Sequence, residues 1–413
     1  AASHAQQAAE GVLAELDERL ARDLTYASGR ILGSMISAPH PLAVDVLARY
    51  GEKNVGDPGL FPATAELERE VIAELGGWLG HADAVGHIVS GGNEANILAL
   101  WAARTQARAA GRVEARRVLV PATAASIPAS AVSYDKAAKL LDLELVKLPV
   151  DDRFRLDTRA ARRALDDETL ALVGVAGSTD LGCVDPLSRL SDLAIKSGVH
   201  LHVDAAFGGY VLPFLAELGR TAPRFDFSLP GVSSITIDPH KMGLAPQPAG
   251  GVLFRDAEVA AGITLDIGYL AGGKTTQATL TGTRPGAAVL AVWALLRHYG
   301  RDGYREVVRQ CLEATDAFVA RLTALRGVDV ITPPLMNIVG LRPREVSCTV
   351  AARRLREAGW ALSEFPTHLR VVLSPHVTEE VLEAFLGDLE RCIRRNAPGA
   401  AGASTGPDAL PQA

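Results

Sequence analysis

Ser233-Ser-Ile-Thr-Ile-Asp-Pro-His-Lys-Met-Gly-Leu-Ala-Pro-Gln-Pro-Ala-Gly-Gly251 is the stretch on which the fold of this 413-residue chain turns. Its β-branched run reads as a strand, and the Pro/Gly-rich loop that follows stops it, so Lys241 stands where a strand ends. A lone lysine in such a place is ordinarily a solvated charge. Upstream, Val199-His-Leu-His-Val-Asp-Ala-Ala-Phe-Gly-Gly209 repeats the arrangement: a short apolar run, an acid at Asp204, then small residues.

Two strand ends therefore offer an amine and a carboxylate. An amine able to form a Schiff base, with a carboxylate able to hold a pyridine nitrogen protonated, is the least a protein contributes to pyridoxal phosphate chemistry. A phosphate cradle is expected at His87-Ile-Val-Ser-Gly-Gly-Asn-Glu-Ala-Asn96, where a strand breaks at Gly91-Gly92 and a helix begins at once. Glycine lets the backbone approach a ligand, and the free N–H groups of a first helical turn favour an anion.

Outward from these motifs, strand and helix patterns alternate from Arg117 to Ile237, which predicts a mostly parallel sheet with helices on both faces. Ligands of such sheets lie beyond the carboxyl ends of the strands, and Gly177-Ser178-Thr179, Asp204 and Lys241 all fall there. Residues 264–282 read as a mobile loop carrying Tyr269. Helices are expected over 287–298 and 303–325, followed by a small α+β domain. In that domain Arg370 lies within an apolar run, as an edge-strand arginine reaching water or as a carboxylate anchor facing the cleft. The chain divides into an N-terminal helix and segment (1–50, a dimer arm), a large cofactor-binding domain (51–300), a small C-terminal domain (301–395) and a disordered tail (396–413). The first helix carries Val12, Leu13, Leu16, Leu20 and Leu24 on one side and needs a partner surface, within the chain or on another subunit.

Composition excludes other classes. With 42 Lys+Arg against 48 Asp+Glu there is no basic field to attract nucleic acid or an anionic membrane. Cys183, Cys311, Cys348 and Cys392 are scattered and read as reduced thiols, not as a metal site or disulfide framework. No apolar run approaches the roughly 18–20 residues that span a bilayer. A cytoplasmic protein with a small-molecule partner is expected.

The motifs Asp57-Pro-Gly-Leu-Phe, Ser90-Gly-Gly-Asn-Glu-Ala-Asn, His202-Val-Asp-Ala-Ala-Phe-Gly-Gly, Asp238-Pro-His-Lys-Met-Gly, Thr281-Gly-Thr-Arg-Pro-Gly-Ala and His368-Leu-Arg-Val-Val-Leu-Ser-Pro-His together resemble the group II pyridoxal-phosphate decarboxylases, most closely the archaeal-type L-tyrosine/L-aspartate decarboxylases. The resemblance implies the type I pyridoxal-phosphate fold, with its mostly parallel seven-stranded-type sheet, and a homodimer with its sites between subunits. It implies an amino-acid decarboxylase in which Lys241 forms the Schiff base, Asp204 holds the pyridinium and Ala206 packs on the ring. Gly92, Asn93 and His240 would bind phosphate, with Ser178 and Thr179 beside the cofactor and Thr283 reaching across from the second subunit. Arg370 would take a substrate carboxylate, with His40 as a further substrate-binding candidate. Tyr269 would handle the proton in the neighbouring site.

Two positions depart from that pattern. Ala131 stands where the family covers the cofactor ring with histidine, and no histidine occurs between His87 and His200. Asn93 replaces a serine or threonine at the phosphate. These changes keep open another carbanion reaction on the same cofactor: oxidative deamination, elimination, or carbon–carbon bond cleavage or formation. A third reading, an inactive cofactor-binding partner subunit, is disfavoured by the retention of both Lys241 and Asp204.

Overall fold

The structure is a computed structural model that describes residues 2–122 and 132–394. Ala131 and the C-terminal tail expected over 396–413 lie outside the described residues. Seven strands form the central sheet: β1 (Val85–Val89), β2 (Arg117–Pro121), β3 (Glu144–Leu148), β4 (Thr169–Val175), β5 (His200–Asp204), β6 (Val232–Ile237) and β7 (Gly250–Phe254), in the spatial order β1-β7-β6-β5-β4-β2-β3. Only β7 runs against the others, because it returns directly from the loop after Lys241 and pairs antiparallel with both β6 and β1.

Every residue of β4 and β7 is buried, as expected of strands covered on both faces. On β4 the alternation is explicit. Leu172 packs with Leu187 and Leu190 of the helix Leu187–Ser197 (α7), while Val173 and Val175 join Ile97 and Leu100 of Gly92–Ala109 (α4). α4 crosses β4 to β7, which places its N-terminus over the carboxyl ends of β5 and β6.

The two helices expected after residue 287 form one long element, α9 (Gly286–Ala324), broken at Gly300, whose φ of 56° a residue without Cβ adopts at least strain. Its second half leads to a four-stranded antiparallel sheet in the order β10-β11-β13-β12 (Val328–Val330, Ile338–Pro343, Leu369–Val372, Ser363–Glu364). That sheet has its own core of Phe318, Trp360, Val371, Phe385 and Leu389, into which Leu32 of the N-terminal segment also packs.

The segment read as a loop over 264–282 contains an antiparallel hairpin, Leu265–Ile267 (β8) with Thr275–Gln277 (β9). Leu265-Asp-Ile and Thr275-Thr-Gln are short alternating runs that pair once the tip is anchored, and Gly272 N–H donates to Asp57 Oδ2 at 3.4 Å. The first helix, α1 (Ala2–Leu20), leaves Val12, Leu13, Leu16 and Leu20 exposed on this chain. None of the four cysteines is in a disulfide. Among the described residues no helix is long and apolar enough to cross a membrane.

Candidate active site

The ends of β5 and β6 and the start of α4 enclose a polar cleft of about 400 Å³. Asp204 closes β5 on one wall. Its Oδ2 accepts from Asn96 Nδ2 at 2.9 Å and from the Tyr134 hydroxyl at 3.2 Å, and its Oδ1 from the Ala206 N–H at 3.2 Å. With Oδ2 doubly occupied, the free lone pair of Oδ1 is the one available to a ligand.

Behind Asp204 lies a buried chain of hydrogen bonds. Because the carboxylate demands a donor, Asn96 turns its amide nitrogen to Asp204 and its Oδ1 to Thr236 Oγ1 (2.7 Å) and His202 Nε2 (3.0 Å). That orientation places the His202 proton on Nε2 and makes Nδ1 the acceptor of Ser234 Oγ–H at 2.8 Å. Ser234 in turn accepts from His200 Nε2 at 2.7 Å. Burial drives both imidazoles to their neutral forms, His200 to about 3 and His202 to about 4, the latter against the opposing pull of Asp204. Tyr134, in the helix Val132–Leu141 (α5), is raised well above an ordinary phenol, first by burial and then by the charge of Asp204, so it stays a donor.

On the opposite wall Lys241 Nζ lies 3.1 Å from Asp238 Oδ2. His240 Nε2 is 3.6 Å from the same oxygen, and burial lowers the His240 pKa. Gly92, Asn93, Ser178, Thr179 and Ala206, each named from the sequence as a cofactor contact, also line the cleft. The Ser178 hydroxyl is engaged within its own turn, accepting from Cys183 N–H at 3.1 Å.

Arg370 lies on β13, which is flanked by strands on both sides, and it is 5% exposed, so it is not an edge-strand arginine reaching water. Its guanidinium donates to the carbonyls of Thr179 and Gly33 and to Ser363 Oγ, with no carboxylate within ion-pair distance among the described residues. Burial pulls its pKa down to about 10. His40 is not part of the cleft lining. It caps the helix Pro41–Arg49 (α2) by accepting from Leu42 N–H and packs on His298 and Tyr299, because Pro41 starts a helix that needs a cap at that position. Tyr269 (83% exposed) and Thr283 also lie outside the lining of this chain's cleft.

Sequence reasoning passed over Asn96, Tyr134 and Asp238. Asn96 carried a signal: it lies three residues after Asn93 at the start of a helix, so both project from one face. Tyr134 carried none.

The family model for the pyridoxal-dependent decarboxylase conserved domain matches residues 9–343. The chain belongs to the pyridoxal-dependent decarboxylase family. It is therefore a lyase of that family, and its cofactor is pyridoxal phosphate. The chain is 45% identical over 386 residues to the L-aspartate decarboxylase of Thermococcus kodakarensis, covering 94% of this chain and 97% of that protein. It is also 45% identical over 369 residues to a probable L-tyrosine/L-aspartate decarboxylase of Methanothermobacter thermautotrophicus, covering 89% and 98%. Among solved structures, a sphingosine-1-phosphate lyase of Burkholderia pseudomallei superposes with a TM-score of 0.86 at 29% identity, covering 94% of this chain and 91% of that one. A glutamate decarboxylase of Lactobacillus brevis shares the fold at a TM-score of 0.82.

The residues present fit the cofactor. A Cβ on Gly92 would lie 3.0 Å from Asp238 Oδ2 and 3.5 Å from Ala206 Cβ, so the missing side chain keeps the start of α4 open. No side chain caps that helix at Gly91, which leaves its first turn of N–H groups to an anion. The carboxylate with one free lone pair on one wall and the lysine on the other complete the donor set.

Proposed function

We propose that this decarboxylase acts on L-aspartate, releasing the α-carboxyl group as carbon dioxide and leaving β-alanine. The observation that carries this reading is the pairing, across one polar cleft, of Lys241 with a carboxylate held by three donors at Asp204. When bound, pyridoxal phosphate supplies the sink for the electron pair left at Cα. Lys241 is the amine that anchors the cofactor. Asp204 holds a proton on the ring nitrogen by opposite charge, and its own donors keep it aimed. Gly92, Asn93 and His240 receive the phosphate at the start of α4, while Ala206, Ser178 and Thr179 bound the ring.

Aspartate is supported by the names of the relatives and by Arg370, a buried cation without a carboxylate partner among the described residues. It would hold the carboxylate that the substrate keeps. The proton that replaces carbon dioxide at Cα is assigned to Tyr269 of a second copy of the chain, since on its own chain this phenol is exposed outside the cleft. Thr283 would approach the phosphate from that second copy in the same way, and residues 1–50 would form the arm between the two. Cytoplasmic residence belongs to the same reading and is supported by four cysteines that form no disulfide.

The test is a panel of L-aspartate, L-tyrosine and L-glutamate given to the cofactor-loaded protein, with carbon dioxide and product mass followed together. Aspartate should yield carbon dioxide and β-alanine in equal amounts. Faster release from tyrosine would overturn the substrate, and an aldehyde product would overturn the reaction.

A further inference from the structure

The carboxylate of Asp238 stands where an anion is to be bound. It is 1% exposed, its Oδ2 lies 3.0 Å from the position a Cβ of Gly92 would take, and it therefore faces the first residue of α4. Its Oδ2 is paired with Lys241, and its Oδ1 is buried without a hydrogen-bond partner. Resting on the reading of this cleft as the phosphate site, we propose that the Asp238–His240 pair takes up one proton from solvent when a phosphate monoester enters, with Asp238 as the charge that requires it.

Three features lead there. A buried carboxylate needs a counter-charge, and Asp238 has one partner for it, the Lys241 amine that also anchors the cofactor. The phosphate then brings negative charge to the helix start that Asp238 already faces, and like charges at short range out of bulk water favour the protonated form. A proton taken up on Asp238, beside the Nε2–H of His240 at 3.6 Å, removes that repulsion and gives the orphaned carboxyl a hydrogen to donate to a phosphate oxygen.

Of the surrounding groups, only Glu94 offers another site for the proton. On the loop itself, Lys241 is committed and His240 Nδ1 accepts from the Ala249 N–H at 3.4 Å, so its Nε2 side is the one facing Asp238. From the turn after β5, Tyr210 brings a buried hydroxyl whose pKa is raised by burial and by Asp238, so it is no source of charge. In the first turn of α4, Glu94 Oε2 accepts from the N–H and Oγ–H of Ser90 while its buried Oε1 has no partner, so an extra proton retained by Asp238→Asn would be assigned there. Across the cleft, Asp204 is held by its own three donors.

Calorimetry of the apoprotein with pyridoxal phosphate and with pyridoxal, in two buffers of different ionisation heat at pH 8, counts the protons. Both ligands share the ring and the lysine chemistry, so their difference isolates the phosphate. The wild type should take up about one more proton with pyridoxal phosphate, and the affinity advantage of the phosphate should shrink by up to about tenfold per pH unit as pH rises. Asp238→Asn, of nearly equal volume, should lose both effects. Equal proton counts in the wild type, or an extra proton retained by Asp238→Asn, would overturn the proposal. If neither ligand binds, the cofactor-site reading fails and the proposal with it.

Discussion

At Asp204 a single carboxylate is fixed by three donors, and the two that are side chains can be removed separately. Tyr134→Phe deletes one neutral donor at constant shape and should lower kcat about fivefold, from roughly 1 kcal/mol, with the cofactor still bound. Asn96→Leu should do more, on the order of 100-fold, because it also strands Thr236 Oγ1 and His202 Nε2 without their acceptor. Both variants should shift the pH dependence of the bound cofactor's visible absorbance; unchanged spectra would show that these side chains only fill space. That Asp204 and Lys241 line one cleft was legible in the sequence because both stand where an apolar run stops. Tyr134 was not, since nothing in linear order joins a phenol to a carboxylate 70 residues later. His40 misled for the converse reason: its neighbour Pro41 starts a helix, and the histidine is used to cap it.

Among the elements, β5 combines a site with a stability switch. Unfolded, His200 and His202 bind protons at their ordinary value of 6.5, whereas folded they are held near 3 and 4 by burial. Between those values the unfolded chain carries more protons, so stability falls as pH drops from about 6.5, by on the order of 2 kcal/mol per histidine at pH 5. Urea midpoints at pH 7.5 and pH 5 should separate accordingly, and His200→Gln should narrow the gap. At the start of α4, Gly92→Ala places a methyl group 3.0 Å from Asp238 Oδ2 and should weaken cofactor affinity at least tenfold while leaving the fold intact, as measured by cofactor titration and circular dichroism. The strand and helix alternation from β2 to β6 was readable because its apolar runs are continuous and its breaks carry Gly, Pro or Asp. The β8–β9 hairpin was not, because three-residue strands give no periodicity and their anchor, Asp57, lies more than 200 residues away.

At the scale of the whole molecule, the exposed Tyr269 and the exposed leucines of α1 bear on how two copies would share their sites. If Lys241 and Tyr269 serve one site from different chains, mixing inactive Lys241→Ala with inactive Tyr269→Phe should restore about a quarter of wild-type activity, since half of the randomly paired dimers are mixed and each holds one intact site. No recovery on mixing, with subunit exchange verified by mass spectrometry, would place the phenol on its own chain's site or outside catalysis. The sequence showed that α1 needs a partner but not which one, because an amphipathic stripe specifies apolarity and no address. Arg370 joins these parts in another way. Its guanidinium binds the carbonyl of Gly33 from the N-terminal segment, the carbonyl of Thr179 from the turn after β4 and the hydroxyl of Ser363 on the neighbouring strand, so one side chain rivets three distant parts of the chain. Arg370→Lys should therefore raise KM for aspartate and also lower the melting temperature and speed amide exchange around Gly33. A substrate that draws the guanidinium toward its own carboxylate would loosen that rivet, so occupancy of the site should be audible as a change in hydrogen exchange at a seam far along the chain from Lys241.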